Sequence, residues 1–229
     1  MDYASVCDSV EARGLVPRGA FHPVDSDAVP PVGDGREPGT LVLVGVVGRT
    51  GWDAFQNSEE SRRPPHALDR WSRRIVTELA DELGAAPLFP FGGPPFLPFL
   101  RWARRAEAVH PSPIGPLIHP DYGLWHAYRG ALAFPGAMAL PAADTRPRPC
   151  DTCAEKPCLS TCPVEAFGMN GYDVPACIAH IGADGGRDCL DGGCLARRAC
   201  PVGVAYRYIP AQMEFHMRAF LAANRDRGR

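Results

Sequence analysis

Cys150-Asp-Thr-Cys153-Ala-Glu-Lys-Pro-Cys158-Leu-Ser-Thr-Cys162-Pro163 places four thiols within thirteen residues. A second run, Cys177-x11-Cys189-x4-Cys194-x5-Cys200-Pro201, follows and ends in the same Cys-Pro pair. Eight of the nine cysteines of this 229-residue chain lie in these two runs. Two sets of four thiols point to two metal centres, and two tetrathiolate chemistries compete for them, iron–sulfur clusters and structural zinc. Zinc sites show two short Cys-x2–4-Cys knuckles separated by a dozen or more residues. The first run is too crowded for one tetrahedral zinc.

The pattern is similar to that of bacterial two-cluster ferredoxins, where three cysteines of a run bind one cluster and the fourth, followed by proline, crosses to the other. On that pattern Cys150, Cys153, Cys158 and Cys200 take one [4Fe–4S] cluster, and Cys162, Cys177, Cys189 and Cys194 take the second. Proline after the crossing cysteine fixes φ and removes one donor, which helps the chain leave the cluster. The spacing departs from the ferredoxin run, with x4 in place of x2 between the second and third ligands. The second run is looser still, so Cys177 and Cys189 are its least constrained ligands.

Formal net charge is −2 and the pI is near 6.4, which leaves no global basic field for DNA or an anionic membrane. Lys156 is the only lysine, and arginine supplies nearly all the positive charge. The N-terminus lacks a basic segment followed by an apolar stretch, and no apolar run approaches the ~20 residues of a membrane span. A soluble cytoplasmic protein is expected. Clustered thiols in a reducing compartment bind metal more often than they pair as disulfides. Cys7, outside both runs, reads as a free thiol.

Along the chain, residues 2 to 16 predict a short helix with Val6 and Val10 inward, and residues 17 to 39, rich in Pro, Gly and Asp, predict a loop. Leu41-Val-Leu-Val-Gly-Val-Val47 is the best strand, uncharged and β-branched, with the pattern of a strand covered on both faces. From Pro65 the pattern becomes helical, with Leu68, Trp71, Ile75, Leu79 and Leu83 on one stripe and Gly84 as its stop. Residues 86 to 99 are dense in proline and phenylalanine, suiting an edge strand that passes into a helix from about Leu97 to Val109. A strand-like alternation follows from Trp125 to Phe134. Residues 204 to 224 predict a helix whose face, with Met213, Met217, Phe220 and Leu221, docks on the first domain. The expected organisation is α+β: a cofactor domain over 1–145, a cysteine module over 146–203 and a C-terminal helix over 204–229.

His119, Tyr122, Trp125, His126, Tyr128 and Arg129 fall within eleven residues beside a glycine turn. Such convergence suits either a cofactor pocket or a tight turn with its aromatics packed. Ile118-His-Pro-Asp-Tyr-Gly-Leu-Trp-His-Ala-Tyr-Arg-Gly130, ending in Phe134-Pro-Gly136, resembles the Ile-His-Pro…Gly-Trp-Phe-Ala-Ile-Arg-Gly…Leu-Pro-Gly segment of the cobalamin-processing MMACHC-type (cblC) proteins. The cysteine half resembles the two-[4Fe–4S] ferredoxin module of epoxyqueuosine reductases and reductive dehalogenases, which stands beside a cobalamin-binding domain. Position 124 is Leu and position 126 is His where the MMACHC-type family has Gly and Phe.

The resemblance implies a flavin-nitroreductase-like domain and a corrinoid ligand, cobalamin, with FMN as the substitute cofactor. It implies cofactor contacts from Gly115, His119, Gly123, Trp125, Arg129 and Gly130, to which the convergence of side chains adds Tyr122 and Tyr128. It further implies an external electron donor (a ferredoxin, flavodoxin or reductase) that feeds the clusters, and a homodimer as one assembly. The function expected is an iron–sulfur oxidoreductase passing electrons to a bound corrinoid. Two rivals stand beside it, an electron carrier without catalysis and an epoxyqueuosine-reductase-like enzyme acting on tRNA.

Overall fold

The computed structural model describes residues 1–33, 35–168 and 171–224. The chain divides into two compact units, one of residues 1–108 and 126–146, the other of residues 109–125 and 147–229. In chain order the first unit contributes α1 (Tyr3–Ala12), β1 (Val16–Phe21), β2 (Thr40–Val47), α2 (Trp52–Gln56), α3 (Ala67–Leu83), β3 (Ala86–Leu88) and α4 (Phe99–Ala106). The second unit supplies the short pair β4 (His110–Pro111) and β5 (Leu117–Ile118) before the first resumes with β6 (His126–Phe134). The rest of the second unit holds α5 (Pro157–Ser160), β7 (Phe167–Gly168), β8 (Gly171–Tyr172), α6 (Val174–Ile181), α7 (Arg187–Gly192), α8 (Leu195–Arg198) and α9 (Pro210–Asn224).

The fold is α+β, and its largest sheet is antiparallel in the order β1-β2-β6-β3. All eight residues of β2 are buried. Successive side chains of a strand point to opposite faces, so both faces of β2 are covered. Its register with β6 slips between Val44 and Gly45, and a Cβ at Gly45 would lie 2.2 Å from the Ala127 carbonyl oxygen. That close approach is why the hydrophobic run tolerates a glycine at its centre.

Helix α1 starts where Asp2 accepts a hydrogen bond from the Ser5 N–H at 2.9 Å, and it buries Val6 and Val10 as its spacing predicts. Helix α3 buries Trp71, Val76, Leu79 and Leu83, and Gly84 ends it at φ +66°. The stretch read as a loop contains β1, a correction to the sequence expectation. Pro17 and Gly19 disguise this strand, but it lies at the sheet edge and is irregular between Pro17 and Ala20, where both residues are tolerated. The remainder of that stretch is tied down through Asp27: its carboxylate pairs with Arg105, and its carbonyl accepts from Arg101 and from the Trp102 indole, each at 2.8 Å.

A buried polar group stabilises one end of the sheet. Arg18 on β1 is fully buried and binds Glu107, just past α4, through Nη2–Oε1 at 2.5 Å and Nε–Oε2 at 3.2 Å. The same carboxylate accepts the Tyr128 O–H at 2.5 Å, and Arg18 also donates to His126 Nδ1 at 3.1 Å. Burial pushes the Tyr128 hydroxyl far above the usual phenol value, with the Glu107 charge adding to the shift. The C-terminal helix lays Met217, Phe220 and Leu221 on Ile178, Ile181 and Leu190, and its Met213 and Met217 line a recess with Trp125, all within the second unit. No helix among the described residues is long and apolar enough to cross a membrane.

Removing one partner of a buried, hydrogen-bonded ion pair strands the other charge, at a cost of about 3–5 kcal/mol. Arg18→Leu is therefore expected to lower stability by that order, read as a drop in the denaturant midpoint of the first unit. Adding Glu107→Leu to it is expected to recover most of the loss.

Candidate functional site

The cysteines are positioned by a series of short turns and helices, none of which depends on a long apolar face. Pro149–Asp151 forms a 3-10 turn that carries Cys150, and Pro157 opens α5, which carries Cys158. Asp173 caps α6 by accepting from the Ala176 N–H at 2.9 Å, and that helix carries Cys177. Cys189 lies on α7, Cys194 is the residue before α8, and Cys200 follows α8.

Two recesses result. One, of about 310 Å³ including its open mouth, is lined by Cys150, Cys153, Cys158 and Cys200, with Ile118, Pro149, Pro157 and Pro201 among its walls. The other, of about 300 Å³ on the same measure, is lined by Cys162, Cys177, Cys189 and Cys194, with Phe167, Ile181 and Met217 among its walls. Each quartet contains one cysteine from the opposite run: Cys200 joins the first run's three, and Cys162 joins the second run's three.

Electrostatics separates the thiols into the same two groups. Burial raises the Cys158, Cys177, Cys189, Cys194 and Cys200 thiols above the ordinary cysteine value. The neighbouring thiols that push in the same direction come, in every case, from that cysteine's own quartet. Backbone N–H groups act the other way on the sulfurs: Val202 on Cys200, Leu195 on Cys189, and Arg197 and Ala196 on Cys194. Ala166 N–H donates to Cys162 Sγ at 3.3 Å. No three His, Cys, Asp or Glu side chains among the described residues are grouped closely enough to hold a single metal ion.

The residues expected at a corrinoid pocket fall in two places. Gly115, His119, Tyr122, Gly123 and Trp125 belong to the second unit, and Tyr128, Arg129 and Gly130 belong to the first. Within the second unit His119 and Gly123 exchange backbone hydrogen bonds, both at 2.9 Å. The buried His119 ring accepts at Nδ1 from the Asp121 N–H, 3.0 Å away, and stacks on Tyr122 at 4.2 Å. That acceptor role assigns the ring proton of the neutral imidazole to Nε2. Trp125 is buried, with the Arg197 guanidinium 4.6 Å from its ring centre. Arg197 also donates to the Leu124 carbonyl through Nη2 at 2.5 Å. In the first unit Arg129 donates to Ser72 Oγ at 2.8 Å and Asp69 at 2.6 Å, and Gly130 packs beneath Val76.

Backbone contacts explain two glycines near these residues. A Cβ at Gly123 would lie 2.0 Å from the Val202 carbonyl oxygen, and one at Gly203 would lie 2.3 Å from Tyr122 backbone atoms. The chain just after Cys200-Pro201 thus runs directly against the turn that follows His119. Sequence reasoning missed three residues near the cysteines: Lys156 on the first recess, Tyr172 stacked on Phe167 of the second, and Arg197, whose backbone N–H acts on Cys194. None carries a spacing signal, because each is recruited by the folded path of the chain.

No protein-family model and no curated protein matches this sequence. Among solved structures the chain is similar to the B12-trafficking protein CblC of C. elegans, a human MMACHC homologue. The TM-score is 0.54 at 16 % identity, covering 93 % of this chain and 90 % of that one. It is also similar to epoxyqueuosine reductase, solved with a tRNA-Tyr epoxyqueuosine-modified stem loop. Here the TM-score is 0.51 at 14 % identity, covering 92 % of this chain and 68 % of the other. At such identities the likeness is one of fold.

Gly123 has φ +57° as well as no room for a Cβ, so strain and collision act together. Gly123→Ala is expected to cost about 2 kcal/mol or more. Gly185→Ala, where a Cβ meets nothing within 4 Å, is expected to be near neutral. Thermal unfolding of the two variants beside the parent protein checks the contrast.

Proposed function

We propose that the second unit is a ferredoxin-like module for two [4Fe–4S] clusters, and that the protein passes electrons through them to a corrinoid bound by the same chain. The observation that carries this reading is the pair of four-thiol recesses, each completed by a cysteine from the opposite run. The residues present fit such clusters. Each recess offers four sulfur donors and mainly apolar walls, and in the second the Ala166 N–H is directed at Cys162 Sγ, which are features that hold and tune an iron–sulfur centre. A lone zinc requires four ligands converging about 2.3 Å from one point. The first run, four cysteines within thirteen residues, is too crowded for that arrangement.

When bound, the clusters would supply one-electron transfer at low potential. The chain's own contribution is geometric and electrostatic. Pro163 and Pro201 send the crossing cysteines away from the helices that precede them, so the two quartets share covalent connections. Buried thiols must lose their protons to become ligands, and the backbone donors to Cys189, Cys194 and Cys200 favour the thiolate over the thiol.

The corrinoid half of the proposal is supported by the fold shared with a B12-trafficking protein and by the segment from Ile118 to Gly136 that resembles the MMACHC-type motif. A nitroreductase-like first unit is the finer fold assignment that accompanies it. An external ferredoxin, flavodoxin or reductase is the proposed donor.

Anaerobic purification is expected to give about eight irons per chain with matching sulfide, the content of two four-iron clusters. Cys200→Ser, although it alters the second run, is expected to disrupt the centre held by Cys150, Cys153 and Cys158 and leave about half the iron. Titration of the loaded protein with hydroxocobalamin is expected to show the base-on to base-off absorbance change. Two zincs without a visible chromophore would overturn the cluster assignment. Full iron with no spectral response to hydroxocobalamin or FMN would leave an electron carrier.

A further inference from the structure

The recess that α9 forms with Trp125 measures about 250 Å³ with its open mouth and differs in chemistry from the two four-thiol recesses. Met213, His216 and Met217 come to it from one face of α9, and Trp125, Arg197 and Tyr208 stand among its other walls, with Gly193 and Cys194 completing it. Gly193 lets the helix close down, since a Cβ there would lie 2.7 Å from Met213 Sδ. Two polar groups in these walls lack the partners that burial demands. Trp125 is 1 % exposed, and its indole N–H has no acceptor among the described residues. Arg197 is half-buried, with its guanidinium 4.6 Å from the Trp125 ring centre and 4.7 Å from that of Tyr208. Its Nε and Nη2 donate to the Leu124 carbonyl at 3.2 and 2.5 Å. Among the described residues Nη1 has no acceptor, and no carboxylate pairs with this guanidinium. Tyr208 is buried and meets Trp125 edge-on at 5.3 Å, so packed rings hold the cation in place.

We propose that this recess binds a small monocarboxylate, whose oxygens accept from the Trp125 indole and the Arg197 guanidinium while its apolar body lies against Met213 and Met217. A buried N–H without an acceptor costs its full desolvation, and a cation among apolar walls without a counter-charge costs more. One carboxylate group relieves both. The guanidinium presents planar N–H groups that match a carboxylate, and the bond formed is charge-assisted. The thioether and aromatic walls select the rest of the ligand: they suit a short chain or a single ring and offer nothing to a second charge. The inference requires neither the cluster reading nor the corrinoid reading.

The test is isothermal titration calorimetry of the intact, anaerobically purified chain with benzoate and butyrate, each beside its neutral amide. Iron content is recorded separately, so the cluster reading can fail without touching this one. One or both carboxylates are expected to bind saturably at a single site, at least about tenfold more tightly than the matching amide, as loss of a charge-assisted hydrogen bond requires. Site-specific replacement of Trp125 by benzothienylalanine, which keeps the shape of the indole but has sulfur in place of N–H, is expected to weaken carboxylate binding several-fold. Arg197→Gln is expected to weaken it by at least about tenfold. A role in packing alone would not make binding depend on the indole N–H or on the charge of the probe. No saturable binding of either carboxylate, an amide that binds as tightly as its acid, or unchanged affinity in the benzothienylalanine protein would overturn the proposal. Should Arg197→Gln fail to fold, the benzothienylalanine protein and the amides decide the matter, weaker binding in both comparisons supporting it and any other result overturning it.

Discussion

Cys162 and Cys200 impose the constraint on which the second unit depends. Each comes directly after a short helix, α5 or α8, and each contributes to the recess that the other run builds. A chain that must satisfy both quartets cannot move one run without disturbing the other. The prolines that follow enforce the exchange, since a proline cannot extend a helix and fixes the direction in which the chain departs. Helices α5 and α8 pack on each other within this arrangement, although each is only four residues long. Helices of that length have no stability of their own in water. Their order has to come from the side chains packed around them.

The segment from Val109 to Trp125 gains its meaning from the same constraint. Its His119 turn is pressed by backbone contact onto Val202 and Gly203, directly after the crossing Cys200-Pro201. Arg197 adds a second connection, covering Trp125 with its guanidinium and donating to the Leu124 carbonyl. Ile114, Ile118 and Leu124 then share a buried cluster with Cys150, Cys158 and Cys200. Much of the chemistry of Ile118 to Trp125 therefore has a structural task beside the cysteines. Arg129, by contrast, spends two of its donors on Ser72 and Asp69 of α3. The physical reading of the motif is that its glycines and aromatics fix the path of the chain on both sides of residue 125, whatever ligand they also serve.

What the sequence made legible was local. Strand β2 and helix α3 announce themselves because hydrophobic periodicity is a property of neighbouring residues, and Val6 and Val10 place α1 for the same reason. The two runs of cysteines are legible because their spacing is short-range too, each ending in a Cys-Pro pair. Strand β1 was illegible: six residues containing Pro17 and Gly19 follow loop chemistry, and only a place at the sheet edge makes them a strand. Arg18 and Glu107 are separated by 89 positions, and no pattern in either neighbourhood announces their pairing. The surface that α9 packs on is illegible for a related reason. Its apolar face is evident from sequence, but periodicity specifies a face and not the surface that covers it.

The composition of the second unit's core shows why metal chemistry and folding belong together in this reading. Of the seven residues in the buried cluster around the first recess, three are cysteines, and Cys162 and Cys194 pack against its edge. Thiols contribute modestly as hydrophobes, and their stronger chemistry is ligation. A core built this way buries little apolar surface for the number of turns it must order, while backbone ordering alone costs about 1–2 kcal/mol per residue. Ligands that bind only the folded arrangement add their binding free energy to its stability. The first unit needs no such help, because its sheet is buried through β2 and closed at one end by the Arg18–Glu107 pair. On this argument the two units differ in kind: one is held by hydrophobic burial and one buried ion pair, the other by cysteines whose thiols are costly to ionise until something occupies the recess they face.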